Sequence, residues 1–93
     1  DVDALDWSVV RSTGTPEPGG FSWYEALDLV RSVFRERDVI AFDVVELAQD
    51  PPDRNGAFAV AKLLYKMLGL KLSSHVLRGR TDWPTVPKGP ILR

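Results

Sequence analysis

The stretch V39-I-A-F-D-V-V-E-L47 decides how this chain is read. Seven of its nine residues are apolar and four are β-branched. In a strand, alternate side chains point to opposite faces, so an apolar residue at nearly every position implies cover on both sides, as in a parallel sheet. Asp43 and Glu46 are the exceptions. A carboxylate buried bare is very costly, so Asp43 is expected to be hydrogen-bonded or ion-paired.

Upstream of this stretch, Ser22 and Glu25 form a capping-box pair that satisfies backbone N–H groups at a helix start. Trp23, Ala26, Leu27, Val30, Val33 and Phe34 follow at steps of three and four, and the charged run Arg35–Asp38 ends that helix. Downstream, A48-Q-D-P-P-D-R-N-G56 reads as a loop. A second helix is expected from Asn55 or Gly56 to Leu68, with Ala57, Val60, Ala61, Leu64 and Leu68 on one face and Gly69 as its stop. Beyond it, Pro84, Pro87 and Pro90 favour an extended conformation. The chain is thus expected to run strand end, loop, helix, strand and helix over 1–69, followed by an extended basic tail over 70–93.

Strand–helix alternation implies an α/β fold with a parallel sheet. A strand apolar on both faces needs neighbours at both edges and a helix layer on each side. One strand and part of another cannot supply these, and a chain this short buries only ~60% of its unfolded surface even when folded. The expectation is a segment of a larger domain.

The composition, with 44% hydrophobic and 27% charged residues, is that of a globular protein. The absence of cysteine excludes disulfides and thiolate metal sites and fits a reducing cytoplasm. No apolar run reaches the ~18 residues of a membrane span. Net charge is −1, but residues 1–50 hold eleven acids against four bases, while residues 71–93 hold five bases against Asp82. An acidic front half favours a cationic ligand over nucleic acid, and the basic tail lacks the interleaved aromatics of a single-strand binder.

The acids concentrate at the start, in D1-V-D-A-L-D6. On a strand, Asp1 and Asp3 would point to the same side and could converge on one hard cation. A polar turn capping a strand is the alternative. An EF-hand loop is excluded, because the fifth, sixth and twelfth positions do not match. His75, the sole histidine, is isolated beyond the second helix, so a structural or surface role outweighs metal ligation.

Taken together, D1-V-D-A-L-D6, T13-G-T-P-E-P-G-G20 and D43-V-V-E46 resemble the arginase/agmatinase (ureohydrolase) family, over roughly Asp1 to Leu68. The resemblance implies the C-terminal part of a three-layer α/β/α fold with a parallel sheet and two manganese ions at its C-terminal edge. It implies hydrolysis of a small guanidino compound to urea and an amine, with trimers or hexamers common. Asp1 and Asp3 would be metal ligands, Thr15 would lie near the reacting guanidinium, and Glu46 would bind it. Asp6 and Asp43 would be supporting acids. The chemistry is consistent with these roles: hard oxygen donors suit manganese, and a carboxylate can accept two parallel N–H bonds from a planar guanidinium.

The family's other metal ligands, two histidines and two aspartates, precede the Asp-x-Asp motif. The 93 residues alone are therefore expected to be inactive. The chain also departs from the pattern. Trp7 stands where proline is usual, Arg11-Ser12 replaces Pro-Gly before Thr-Gly-Thr, and Leu47-Ala48-Gln49 follows Glu46 where a small polar residue and proline are common. The proline-rich P16-E-P-G-G20 leans toward the agmatinase-like branch. Arg11 could bind an acidic substrate tail or be a solvated charge. Two other readings stand beside this one: a non-catalytic binding or assembly module retaining a relic half-site, and an Asp-x-Asp phosphotransferase or hydrolase using one magnesium ion.

Overall fold

The computed structural model describes residues 1–48 and 52–77, with side chains up to Ser74. The element order is a 3-10 turn at Val2–Ala4, helix α1 at Trp23–Glu36 and helix α2 at Arg54–Leu77. The proline-rich stretch and Trp83 lie outside the described residues, and so does the side chain of His75.

Helix α1 begins as its sequence dictates. The Ser22 N–H donates to Glu25 Oε2 at 2.8 Å, and the Glu25 N–H donates to Ser22 Oγ at 3.3 Å. This reciprocal pair satisfies donors that the first helical turn leaves free. The apolar stripe turns inward, with Ala26, Leu27 and Phe34 buried. Its margin at Val33 stays 45% exposed.

Helix α2 differs from expectation in length and in orientation. It runs through Gly69 and includes the L70-K-L-S-S-H-V-L77 segment expected to be tail. One interior glycine costs only about 1 kcal/mol relative to alanine, and the flanking leucines and lysine are good helix formers. The extension is also tied down, since Lys71 Nζ lies 3.3 Å from Asp38 Oδ1. The inward face runs through buried Val60 and Leu63, with Ala59, Leu64 and Met67 half-buried, while Ala57, Ala61 and Leu68 are exposed. Helix α2 is apolar nearly all round, so spacing alone could not choose its buried face.

The parallel sheet expected from Val39–Leu47 is not formed among the described residues. The stretch is extended but unladdered. The Val2 N–H donates to the Val45 carbonyl at 3.2 Å, and the Ala48 N–H to the Ser12 carbonyl at 2.7 Å. Elsewhere two isolated parallel bridges occur, Leu5 with Phe21 and Asp6 with Glu17. Cover is one-sided: Phe42 and Val44 are half-buried, whereas Ala41, Asp43 and Val45 are exposed and Ile40 is 90% exposed. Asp43 is therefore not the buried acid the apolar run implied. A strand covered on two faces needs neighbours that these residues do not supply.

The core lies where the N-terminal turn meets both helices. Val2, Leu5, Val10, Ala26 and Val60 form one buried cluster, with Val9, Val44, Ala59 and Leu64 packed against it. Phe34 also meets Phe42 edge to face at 5.9 Å between ring centres, holding the extended stretch against α1. Each fully buried aliphatic side chain contributes about 1.5–3 kcal/mol. This core fixes the acid-rich N-terminus over the helix pair.

Candidate functional site

Asp1 and Asp3 are not carried on a strand. Asp1 caps the 3-10 turn, its Oδ1 accepting the Asp3 N–H at 2.9 Å. The turn arises because Asp1 satisfies a free N–H locally, competing with extended backbone. Asp3 Oδ2 accepts a hydrogen bond from the Thr15 hydroxyl. Asp3 Oδ1 is buried with no hydrogen-bond partner. The structure thus brings Asp3 and Thr15, twelve residues apart, into direct contact.

The loop that delivers Thr15 is organised by Asp6. Its carboxylate accepts hydrogen bonds from the Ser8 hydroxyl, from the Ser8 N–H at 2.9 Å and from the Gly19 N–H at 2.7 Å. Foremost the Ser8 hydroxyl, then the Ser8 and Gly19 N–H groups, hold this carboxyl below its ordinary titration range. Backbone bonds reinforce the closure: the Asp6 N–H donates to the Phe21 carbonyl and the Phe21 N–H to the Ala4 carbonyl, both at 2.8 Å. Gly20 makes this approach possible, for a Cβ there would lie 2.7 Å from Asp6 N and from the Leu5 carbonyl carbon. Thr13 Oγ1 accepts the Thr15 N–H at 3.2 Å, turning Thr15 back toward Asp3.

Glu46 and Asp43 sit along the extended stretch. Glu46 is exposed with φ +69°, in the left-handed region. The Val2–Val45 backbone bond places it one residue from a direct tether to the turn carrying Asp1 and Asp3. Asp43 and Asp1 border the same cavity of about 190 Å³, whose wall includes Val2, Leu5, Val44 and Met67. Among the described residues, no group of three or more His, Cys, Asp or Glu side chains is placed to hold a metal ion.

Two polar residues have structural roles their sequence positions do not announce. Ser12 is 6% exposed, and its hydroxyl donates to Asp53 Oδ2 at 2.6 Å. Asp53 Oδ1 accepts the Asn55 N–H at 3.0 Å at the start of α2. The Ser12 hydroxyl is the main cause of a lowered Asp53 titration range. An Asp just before a helix is a capping signal that could have singled out Asp53. Nothing local marks Ser12, whose partner is 41 residues away. Arg11 is stacked over the Trp7 ring, its guanidinium carbon 4.2 Å from the centroid.

A carboxylate-rich turn in contact with the Thr15 loop and tied by the Val2–Val45 backbone bond to the extended stretch makes up the candidate site. The profile of the Arginase family matches residues 1–69, and the chain belongs to that family. It is 45% identical over 75 residues to an N(1)-aminopropylagmatine ureohydrolase of Thermus thermophilus, covering 76% of this chain and 24% of the relative. It is 34% identical over 70 residues to an agmatinase of Pyrococcus horikoshii, covering 75% and 25%. It is 41% identical over 76 residues to a guanidinopropionase of Pseudomonas aeruginosa, covering 80% and 23%. The chain spans about a quarter of the length of these curated relatives. No solved structure matches it significantly. Family membership implies an α/β fold; the described residues themselves form two α-helices and an extended segment without a sheet.

Proposed function

We propose that these 93 residues are a segment of a two-manganese hydrolase that cleaves an agmatine-like guanidino compound to urea and an amine. Family membership and the names of the relatives support this reading. The observation that carries it is the state of Asp3. One carboxylate oxygen is held by Thr15, and the other is buried without a partner. A buried unpaired carboxylate oxygen is costly unless a cation or donor meets it.

The donor chemistry fits the metal. Asp1 and Asp3 present hard carboxylate oxygens of the kind manganese takes. Two such residues are too few for a metal pair, so ligands outside these 93 residues complete the set and the segment alone is inactive. A metal pair held by Asp1, Asp3 and those further ligands would supply hydroxide at neutral pH by lowering the pKa of bound water. The chain's own side chains do the positioning. Glu46 accepts paired N–H bonds from the guanidinium and balances its charge. Thr15, having donated its hydroxyl proton to Asp3, keeps lone pairs free to accept a guanidinium N–H. Asp6 holds the Thr15 loop closed, and Asp43 adds negative charge at the cavity beside Asp1. Water delivers its oxygen to the guanidinium carbon, the C–N bond to the alkyl arm breaks, and a proton passes to the departing amine. Assembly as a trimer or hexamer and a cytoplasmic setting belong to the same proposal. Among the described residues, no helix is long and apolar enough to cross a membrane.

The test is urea release by the protein as its gene encodes it, supplied with manganese and then with agmatine, arginine or guanidinobutyrate. Agmatine is expected to be the best of the three, with activity lost on chelation and regained with manganese. No urea from any guanidino compound would sink the reading.

One observation favours a second reading, a non-catalytic assembly module. Among the described residues the extended stretch joins no strand ladder, with Ile40 90% exposed and Val45 44% exposed, which invites strand pairing with another chain. Concentration-dependent association without manganese binding by the gene-encoded protein would select it.

A further inference from the structure

Ser12 grips both ends of one connection. Its carbonyl accepts the Ala48 N–H at 2.7 Å, and its hydroxyl donates to Asp53 Oδ2 at 2.6 Å. Asp53 is anchored in turn to α2 through the Asn55 N–H at 3.0 Å. The fit is close, because a Cβ on Gly56 would lie 3.0 Å from Ser12 Oγ. Ser12 is three residues before Thr15, and Ala48 is two residues after Glu46. A single buried residue thus joins the threonine loop, the end of the extended stretch and the first turn of α2.

We propose that the Ser12 hydroxyl and the Asp53 carboxylate form a clamp that sets the position of Thr15 relative to Glu46. Ser12 is a positioning residue, touching neither metal nor substrate. The physical case rests on geometry. Asp3 holds the Thr15 side chain and Asp6 the far end of its loop, while Ser12 anchors the near end, three residues before Thr15. Glu46 holds a left-handed backbone that the flanking segment must sustain. A hydroxyl bonded to a carboxylate is short and strong compared with a neutral pair, and here it closes the connection between Ala48 and Asp53 on one point.

The proposal rests on the functional reading above, so its test has one readout that depends on activity and one that does not. On the gene-encoded protein, kcat and KM would be measured for S12A, S12T, D53A and the double variant S12A/D53A, each well below its melting temperature. Amide exchange at Ala48 would be followed alongside. S12A is expected to lower kcat/KM roughly tenfold to a hundredfold, as misplacement by about 1 Å does. S12T, which keeps the hydroxyl, should stay within about threefold of the parent, and the double variant should be no worse than D53A. Ala48 exchange should quicken about tenfold or more in S12A. A merely structural serine would lower the melting temperature of S12A while leaving kcat/KM of the folded enzyme unchanged. That result overturns the clamp, as do effects of S12A and D53A that multiply. If the parent releases no urea from any guanidino compound, the functional reading falls. Unchanged Ala48 exchange in S12A would then still overturn the clamp, and faster exchange would support it.

Discussion

The acid-rich loop of residues 1–22 and the extended stretch of residues 39–48 hold their shape by opposite means. In the loop, Asp1, Asp6, Thr13 and Thr15 spend their side chains on nearby donors and acceptors, most within a few residues. In the stretch, apolar side chains have little to pack against on one side, and order comes from a few anchors: Phe34 on Phe42, Val2 on Val45 and Ser12 on Ala48. Short-range polar bonds can be completed by the segment itself. Apolar burial on two faces can be completed only by neighbours. Chemistry that depends on both regions therefore has one half self-supporting and the other dependent on cover.

The comparison can be broken most forcefully in the core beneath the loop. Leu5 is 5% exposed within the main cluster, and L5A is expected to destabilise the chain by about 3 kcal/mol in chemical denaturation. A smaller loss would mean the cluster collapses around the cavity. G20A comes next, at roughly 1–3 kcal/mol. Its new Cβ meets backbone rather than a flexible side chain, 2.7 Å from Asp6 N and 2.8 Å from the Ala4 carbonyl oxygen. Loss of protection at the Asp6 and Phe21 amides would show that closure has opened there.

Acid should loosen the loop at Asp6 and, through the Ser12–Asp53 bond, the end of the stretch as well. Asp6 and Glu25 have carboxyls held below their ordinary range, Asp6 by Ser8 and Gly19 and Glu25 by Ser22. A lowered folded pKa contributes stability that is complete above the unfolded value, near 4, and lost as pH falls through the folded value. Melting temperature should thus decline with acidification below about pH 4, and D6N should flatten part of that decline. An unchanged slope in D6N would mean the Asp6 bonds form equally well when it is protonated. The smallest effect belongs to the stretch. With Ile40 90% exposed, I40A should change stability by less than about 0.5 kcal/mol. A cost near that of L5A would reveal that something covers this edge in solution.

How much of this was legible follows the same division. The Ser22–Glu25 cap and the inward face of α1 were readable because their partners lie within one helical turn. Family resemblance was readable because the acids and the Thr-Gly-Thr loop are contiguous strings. The spacing predicts an end of α2 at Gly69, whereas the helix continues, because a glycine terminates a helix only when the following residues leave it, and Leu70, Lys71 and Leu72 continue it. Of the two readings the sequence leaves open for Asp-x-Asp, strand end or polar turn, the structure shows the turn, because Asp1 finds a close N–H there. The ladder around Val39–Leu47 could not form from composition alone, since its neighbours are not among the described residues. Ser12 and Asp53 share no period, so only folding discloses their bond.

Glu46 carries a consequence for how this position can drift. At φ +69°, an ordinary side chain is disfavoured by roughly 1–2 kcal/mol relative to the right-handed region, and glycine is relieved of that penalty. E46G is therefore expected to raise the melting temperature slightly while removing the carboxylate proposed to meet the guanidinium. A lineage freed from selection for hydrolysis would slide toward glycine or asparagine here without losing its fold. The amino acid at position 46 would then serve as a marker, separating chains still under selection for guanidine chemistry from those that keep only the scaffold.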